Sequence, residues 1–157
     1  MRENGRGFWL LIAILVVVHF VLHVSFGIGA AAPDLLTVAV LLSARQLSGG
    51  AAAGVGFALG LLEDAVSLGA FGAAAATQTV IGFVGARSRD LFMGESVLFL
   101  GLYLFLGAWV QDALYYGLAE VVRRGDPLQT LLLAAPMGAA YAAVAGLVAV
   151  AIHRTFG

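Results

Sequence analysis

The chain has 157 residues, of which 62% are hydrophobic and 11% charged, and its formal net charge is −1. Soluble domains carry about a quarter charged residues, so this composition excludes an ordinary soluble domain and indicates a membrane protein. All 8 basic residues are arginine, and the net charge of −1 gives no footing for nucleic-acid binding, which needs a clustered basic face. The absence of cysteine excludes a disulfide framework and a thiolate metal site.

Apolar segments predict six transmembrane helices in one bundle, an all-α integral membrane fold occupying residues 1–157 as a single domain. A full crossing needs about 20 apolar residues, which the first, fifth and sixth segments supply, whereas the second and third are short. A proline at position 136 is expected to kink the sixth helix. The predicted spans are 8–28, 34–47, 49–64, 69–86, 95–119 and 128–153.

The second helix is predicted to begin at the dipeptide Pro33-Asp34. Proline suits the start of a helix because its missing N–H group has no intrahelical partner there, and an acid in the first turn complements the helix dipole. We interpret both residues as structural.

Glycines at helical spacing mark the third helix. Gly56, Gly60 and Asp64 are four residues apart and share one face, and Gly50 and Gly54 repeat the spacing one turn earlier. Small residues let another helix approach closely. Between membrane helices, where the hydrophobic effect gives little attraction, this close packing drives association instead. The face has two possible uses: packing inside the bundle, or docking of a partner protein's transmembrane helix.

The acid at the end of this helix needs a partner. Asp64 lies at a helix C-terminus, where the dipole disfavours a carboxylate. We therefore expect it to accept hydrogen bonds from backbone N–H groups of the following turn, or from an arginine. Two further glycines, Gly69 and Gly72, belong to that turn.

Polar residues inside the other spans favour structural roles. Gln78 is predicted to hydrogen-bond between helices, and Asp112 either hydrogen-bonds within the bundle or relays protons. His19 and His23 are one turn apart, but a metal site would need a third ligand from Asp112 or Glu63, so hydrogen bonding is the preferred interpretation and no metal is predicted.

The arginine distribution predicts the orientation. Cytoplasmic loops are enriched in arginine and lysine, and six of the eight arginines fall on the side of both termini, which places the N- and C-termini in the cytoplasm. These six are Arg2, Arg6, Arg45, Arg87, Arg89 and Arg154; Arg123 and Arg124 fall on the other side.

No motif for catalysis is present. The sequence contains no G-x-S-x-G, no H-E-x-x-H and no glycine-rich phosphate loop followed by lysine, and its serines fall near the span ends. We predict that the protein is not an enzyme and that it uses no cofactor.

Two adjacent segments resemble the MreD family of rod shape-determining membrane proteins. They are "PDLLTVAVLLSAR" and "GAAAGVGFALGLLEDAVSLGAFGAAAATQTVIGFV", roughly a third of the chain. The family pattern is a glycine-spaced apolar helix ending in Gly-Leu-x-x-Asp, then a short turn with serine and glycine and another apolar helix. The matching residues are Gly60, Leu61, Asp64, Ser67, Gly69 and Gly72, and the adjacent Glu63 departs from the pattern.

The resemblance implies a non-enzymatic scaffold of the bacterial rod complex (elongasome) in the inner membrane. MreD-like proteins bind the single transmembrane helix of MreC and help to organise peptidoglycan synthesis for cell shape and elongation. The implied further partners are RodA and a class B penicillin-binding transpeptidase, directly or through MreC, and MreB filaments in the cytoplasm. The glycine face would then be a docking groove for MreC.

The fold predicted by this resemblance, six helices with short second and third members, is also similar to substrate-binding subunits of energy-coupling-factor transporters. The alternative function is therefore a small-molecule-binding membrane subunit of a transporter, with Glu63, Asp64 and Asp112 forming the pocket. The short outer loops argue against that alternative, because a closed pocket needs longer ones. A third hypothesis is a proton- or metal-linked transporter using His19, His23 and Asp112.

Overall fold

The computed structural model describes residues 5–25, 33–67, 71–89, 96–119 and 130–156. All regular structure in these ranges is helical, and the six α-helices follow the predicted order, which confirms the all-α fold class. They are α1 (Gly5–Phe20), α2 (Leu35–Ala44), α3 (Gly49–Val66), α4 (Ala73–Ser88), α5 (Val97–Ala119) and α6 (Ala135–Phe156).

Four segments are long and apolar enough to cross a membrane: Gly5–His23, Gly49–Val66, Val97–Ala119 and Leu131–Thr155. Large apolar side chains such as Leu10, Phe83 and Leu98 are exposed on the outside of the bundle, as expected of a surface that faces lipid. These features confirm an integral membrane bundle. The third span is longer than predicted, because α3 continues to Val66.

The shortest helix, α2, occupies the centre of the bundle. All ten of its residues are buried, and it contacts each of the other five helices. Its side chains Val38 and Leu41 pack with Leu104 of α5 in the main apolar core. A continuously apolar sequence without an exposed stripe is typical of such a fully enclosed helix.

Short π-helical turns adjoin two of the long helices. Val21–Ser25 continues α1, and Thr130–Ala134 precedes α6. Pro136 is the second residue of α6, at the point where the π turn gives way to the α-helix. Because proline cannot donate a backbone hydrogen bond, an irregularity in the helix is expected beside it, and the structure shows a change in helix type there. The kink itself stays a prediction.

Candidate functional site

A very close helix contact lies between α3 and α4 and depends on glycine. A Cβ atom added to Gly56 would overlap the backbone carbonyl of Gln78, and one added to Gly60 would overlap the carbonyl of Ala74. Gly82 of α4 meets α3 in the same way, at the carbonyl of Ala52. Backbone lies against backbone here, so Gly56 and Gly60 serve helix packing within the chain.

Gly50 and Gly54 have a different environment. Both are exposed, and a Cβ atom added to either would meet nothing within 4 Å. Two residues along an α-helix correspond to a rotation of about 200°, so Gly54 lies on the opposite side of α3 from Gly56. The glycines of α3 therefore form one face covered by α4 and one open face.

Asp64 joins the end of α3 to the start of α4. Its carboxylate is buried and accepts hydrogen bonds from the backbone N–H groups of Ala74, at 3.1 Å, and Ala75, at 2.9 Å. These N–H groups belong to the first turn of α4, where no intrahelical acceptor is available and the helix dipole favours negative charge. Of the two partners expected for Asp64, the structure shows the backbone of the next turn.

The turn between these helices includes a glycine in a left-handed conformation. Gly72 is the N-cap residue of α4 and has φ of 93°, a backbone angle that residues with a Cβ atom rarely adopt. Gly69, the other predicted turn glycine, lies outside the described residues.

A chain of hydrogen bonds, buried at Gln78 and part-buried at Asp34, links α4 to the start of α2. Gln78 donates from Nε2 to Thr37 Oγ1 at 2.7 Å, and Thr37 donates from Oγ1 to Asp34 Oδ2 at 2.5 Å. Asp34 is the N-cap of α2 and also accepts from the Thr37 N–H group at 3.0 Å. Gln78 therefore bonds between helices, and Asp34 stands one residue before the first turn, next to Pro33.

His19 of α1 approaches the same cluster. Its ring is buried and accepts a hydrogen bond at Nδ1 from the Leu36 N–H group, at 3.3 Å, which leaves the proton on Nε2. That Nε2 lies 4.0 Å from Glu63 Oε1. Among the described residues, neither His19 Nε2 nor Glu63 Oε2 has a hydrogen-bond partner. The His23 ring stacks on His19, with 4.2 Å between the ring centroids.

Asp112 faces the α5–α6 contact. A Cβ atom on Gly138 of α6 would lie 3.6 Å from Asp112 Oδ2. In the parts of the chain that the structure describes, no three His, Asp or Glu side chains group closely enough to hold a metal ion. The cluster of His19, Asp34, Thr37, Glu63 and Gln78 is thus a set of hydrogen-bonding groups at the junction of α1, α2, α3 and α4.

Comparison with known proteins decides the family. The family model described as "rod shape-determining protein MreD" matches residues 1–122. The chain belongs to the MreD family. Membership of this family assigns it a role in determining rod shape, as the resemblance predicted. No curated protein and no solved structure shows a significant match, so the likeness to energy-coupling-factor transporter subunits stays a prediction.

Three contributors to the site in this MreD protein were not singled out from the sequence. Gly82 completes the α3–α4 contact, Thr37 connects Gln78 to Asp34, and Tyr103 of α5 donates to the Leu41 carbonyl at 2.9 Å. The sequence gave no signal for Gly82, because its contact with the Ala52 carbonyl depends on the register between α3 and α4. Thr37 follows Asp34 by three residues, the spacing of a side chain that caps a helix.

The polar chain yields a stability prediction for this MreD protein. Thr37→Val replaces the bridging hydroxyl with a methyl group of similar size, so Gln78 loses its acceptor and Asp34 loses a donor. We expect a loss of about 1 kcal/mol in unfolding free energy, since hydrogen bonds between membrane helices typically contribute this much. Unfolding of the detergent-solubilised protein by sodium dodecyl sulfate, followed by circular dichroism, measures the loss.

Thr77→Val is the matched control for that experiment. Thr77 is equally buried, but its hydroxyl bonds only to carbonyls of its own helix, those of Ala73 and Ala74. We expect this variant to unfold close to the wild type. Equal losses in the two variants would contradict a specific role for the Thr37 bridge.

Proposed function

We propose that the protein is a non-enzymatic membrane scaffold of the bacterial rod complex, which binds MreC and helps to organise peptidoglycan synthesis for cell shape and elongation. Membership of the MreD family is the observation that carries this proposal. The engagement of Asp64 with the backbone of α4 also supports a structural use of the most enclosed acid. A transporter pocket built from Glu63, Asp64 and Asp112 would need that carboxylate for a ligand instead.

The open face of α3 is the proposed docking surface for the MreC transmembrane helix. It consists of Gly50, Gly54 and Ala58, which are exposed and four residues apart, flanked by the exposed apolar side chains of Phe57 and Leu62. Small residues at this spacing allow close approach of a second helix in lipid. Gly56 and Gly60 are already covered by α4, so a partner helix would use Gly50 and Gly54.

The proposed setting is the inner membrane, with both termini in the cytoplasm. Two contacts bring arginine-bearing helix ends together and so support placing them on one side of the membrane. Arg89 donates to the Arg45 carbonyl at 3.2 Å. Gly7 packs against His153, which brings the neighbouring Arg6 and Arg154 to the same end of the bundle. Arginine concentrates on the cytoplasmic side of membrane proteins. MreB would be reached from this side, and RodA and the class B transpeptidase directly or through MreC.

A pull-down with the variant Gly54→Leu tests the scaffold proposal. The leucine side chain would stand on the open face and keep a partner helix from approaching closely, and its Cβ atom would meet nothing within 4 Å. We expect recovery of MreC from solubilised membranes to fall at least tenfold, a loss of about 1.4 kcal/mol or more, with unchanged amounts of the variant in the membrane.

Gly117→Leu is the matched control, because Gly117 is also an exposed helical glycine with nothing within 4 Å of an added Cβ atom. It should recover MreC normally. Normal recovery with Gly54→Leu would reject the α3 docking surface, and failure of the wild-type protein to recover MreC would reject the scaffold function itself.

A further inference from the structure

An apolar groove opens on the lipid-facing side of the bundle between α4 and α5. Leu41 of α2 forms its floor, Ile81 and Val84 form one wall, and Leu106 and Val110 form the other. The groove has a volume of about 190 Å³. Its α4 lining runs from Ile81 to Ser88, seven steps along the helix, so its length is about 10 Å. None of its lining residues comes from α3.

One end of the groove lies near two arginines. Ser88 and Tyr103 line that end, and Arg45 places its guanidinium 5.7 Å from the centre of the Tyr103 ring. Arg89, the residue after Ser88, donates from Nη1 to the carbonyls of Arg45 and Leu47, at 3.2 and 3.0 Å. The Arg45 guanidinium therefore stands beside a lining residue of the groove, and the Arg89 guanidinium is held against the backbone that follows α2. Neither arginine lines the groove itself.

We propose that this groove binds one anionic phospholipid, with an acyl chain between α4 and α5 and the headgroup phosphate at Arg45 and Arg89. Basic sites between transmembrane helices bind anionic lipid headgroups, and the planar guanidinium group pairs with phosphate through two hydrogen bonds. An occupant with an apolar chain and an anionic head matches both parts of the groove.

The shape of the groove favours a lipid over the other occupants. A partner's transmembrane helix is about 10 Å wide with its side chains, whereas the groove is a slot whose floor is the Leu41 side chain. The groove needs glycine at position 107, beside its floor. A Cβ atom there would lie 2.7 Å from Leu41 Cδ2 and would collide with the side chain that forms the floor. A soluble phosphate compound would leave the apolar part of the groove unused.

Native mass spectrometry of the purified full chain tests the proposal, with phosphatidylglycerol and phosphatidylcholine of identical acyl chains added to the delipidated protein. We expect one phosphatidylglycerol to remain bound in preference to phosphatidylcholine. Arg45→Gln should reduce that preference about fivefold, the contribution of one arginine near an anionic lipid, whereas Arg154→Gln, outside the groove, should leave it unchanged.

A second pair of variants tests the acyl-chain part. Val84→Trp fills the groove from its rim and should abolish the retained lipid. Val80→Trp is the matched control, because Val80 lies one turn away on the same helix, has a similar exposure of 45% against 49%, and does not line the groove. Leu106→Trp, on the opposite wall, repeats the test if Val84→Trp loses its helical circular dichroism signal.

Three results would overturn the proposal. Equal retention of the two lipids by the wild type would show that the groove has no site for an anionic headgroup. Displacement of phosphatidylglycerol by an excess of glycerol phosphate would indicate a site for the soluble head alone. Loss of co-purified MreC from Val84→Trp, with lipid retention unchanged, would assign the groove to a partner helix instead.

Discussion

Gly56→Ala is expected to destabilise the protein by about 3 kcal/mol, because overpacking a close helix contact costs this much when backbone atoms must move apart. The added methyl group would overlap the Gln78 carbonyl and lie 2.6 Å from the Gln78 carbonyl carbon. No flexible side chain can yield at this point, so α3 and α4 would have to separate. The midpoint of unfolding in mixed micelles of dodecyl maltoside and sodium dodecyl sulfate measures the loss.

Gly54→Ala is the control for this experiment, with the same chemical change two residues away on the same helix. The methyl group would enter open space, and alanine has a higher helix propensity than glycine by about 1 kcal/mol. We expect Gly54→Ala to be as stable as the wild type or more stable. Similar midpoints for Gly54→Ala and Gly56→Ala would show that the two faces of α3 do not differ as the structure indicates.

Asp64→Ala is expected to cost about 3 kcal/mol of unfolding free energy, since it leaves two buried backbone donors without acceptors and each such donor costs about 1 to 3 kcal/mol. The affected donors are the N–H groups of Ala74 and Ala75. Both donors and the carboxylate are buried in the protein, so water has little access to replace the carboxylate. The same unfolding assay gives the total loss.

Hydrogen exchange gives the local readout for this variant. Exchange of the peptide that contains Ala74 and Ala75 should accelerate in Asp64→Ala, whereas exchange in α6 should change far less. Asp64→Asn keeps one acceptor oxygen and should fall between the wild type and Asp64→Ala in both measurements. Unchanged protection of the first turn of α4 in Asp64→Ala would refute the capping role.

Hydropathy was sufficient to predict the number, order and type of the helices. The same signal did not place them relative to one another. A short apolar segment such as residues 34–47 is compatible with a marginal span or a re-entrant piece, and only the tertiary structure shows that α2 is enclosed on all sides. Periodicity carries no information for such a helix, because every side of it is apolar.

Only part of the role of the α3 glycines could be predicted from the sequence. The four-residue spacing identified Gly56 and Gly60 as a close-packing face, but the covering helix is the next one in the same chain. Simple helical arithmetic separates Gly54 from Gly56 by about 200°, so the open and covered faces could have been distinguished from the sequence. What it could not reveal is that Gly82 of α4 completes the contact, because that depends on the register between two helices.

The polar cluster was predictable only as a set of isolated residues. Gln78 and Asp34 were each given a structural role, yet their partner Thr37 was overlooked, and they are 44 positions apart in the sequence. The hydrogen bond from Gln78 to Thr37 joins residues 41 positions apart, and it follows from how α2 and α4 cross. Asp64 was the exception, because a carboxylate at a helix end requires a nearby donor and the next helix begins within ten residues.

The enclosure of α2 has a consequence for biogenesis. Ten helical residues extend about 15 Å, half of the roughly 30 Å hydrocarbon thickness, so this segment cannot be threaded across the bilayer as a self-sufficient unit when it leaves the ribosome. Its neighbours α5 and α6 are synthesised last, and they supply part of its surroundings. We therefore expect this segment to reach its enclosed position only after α5 and α6 have been made.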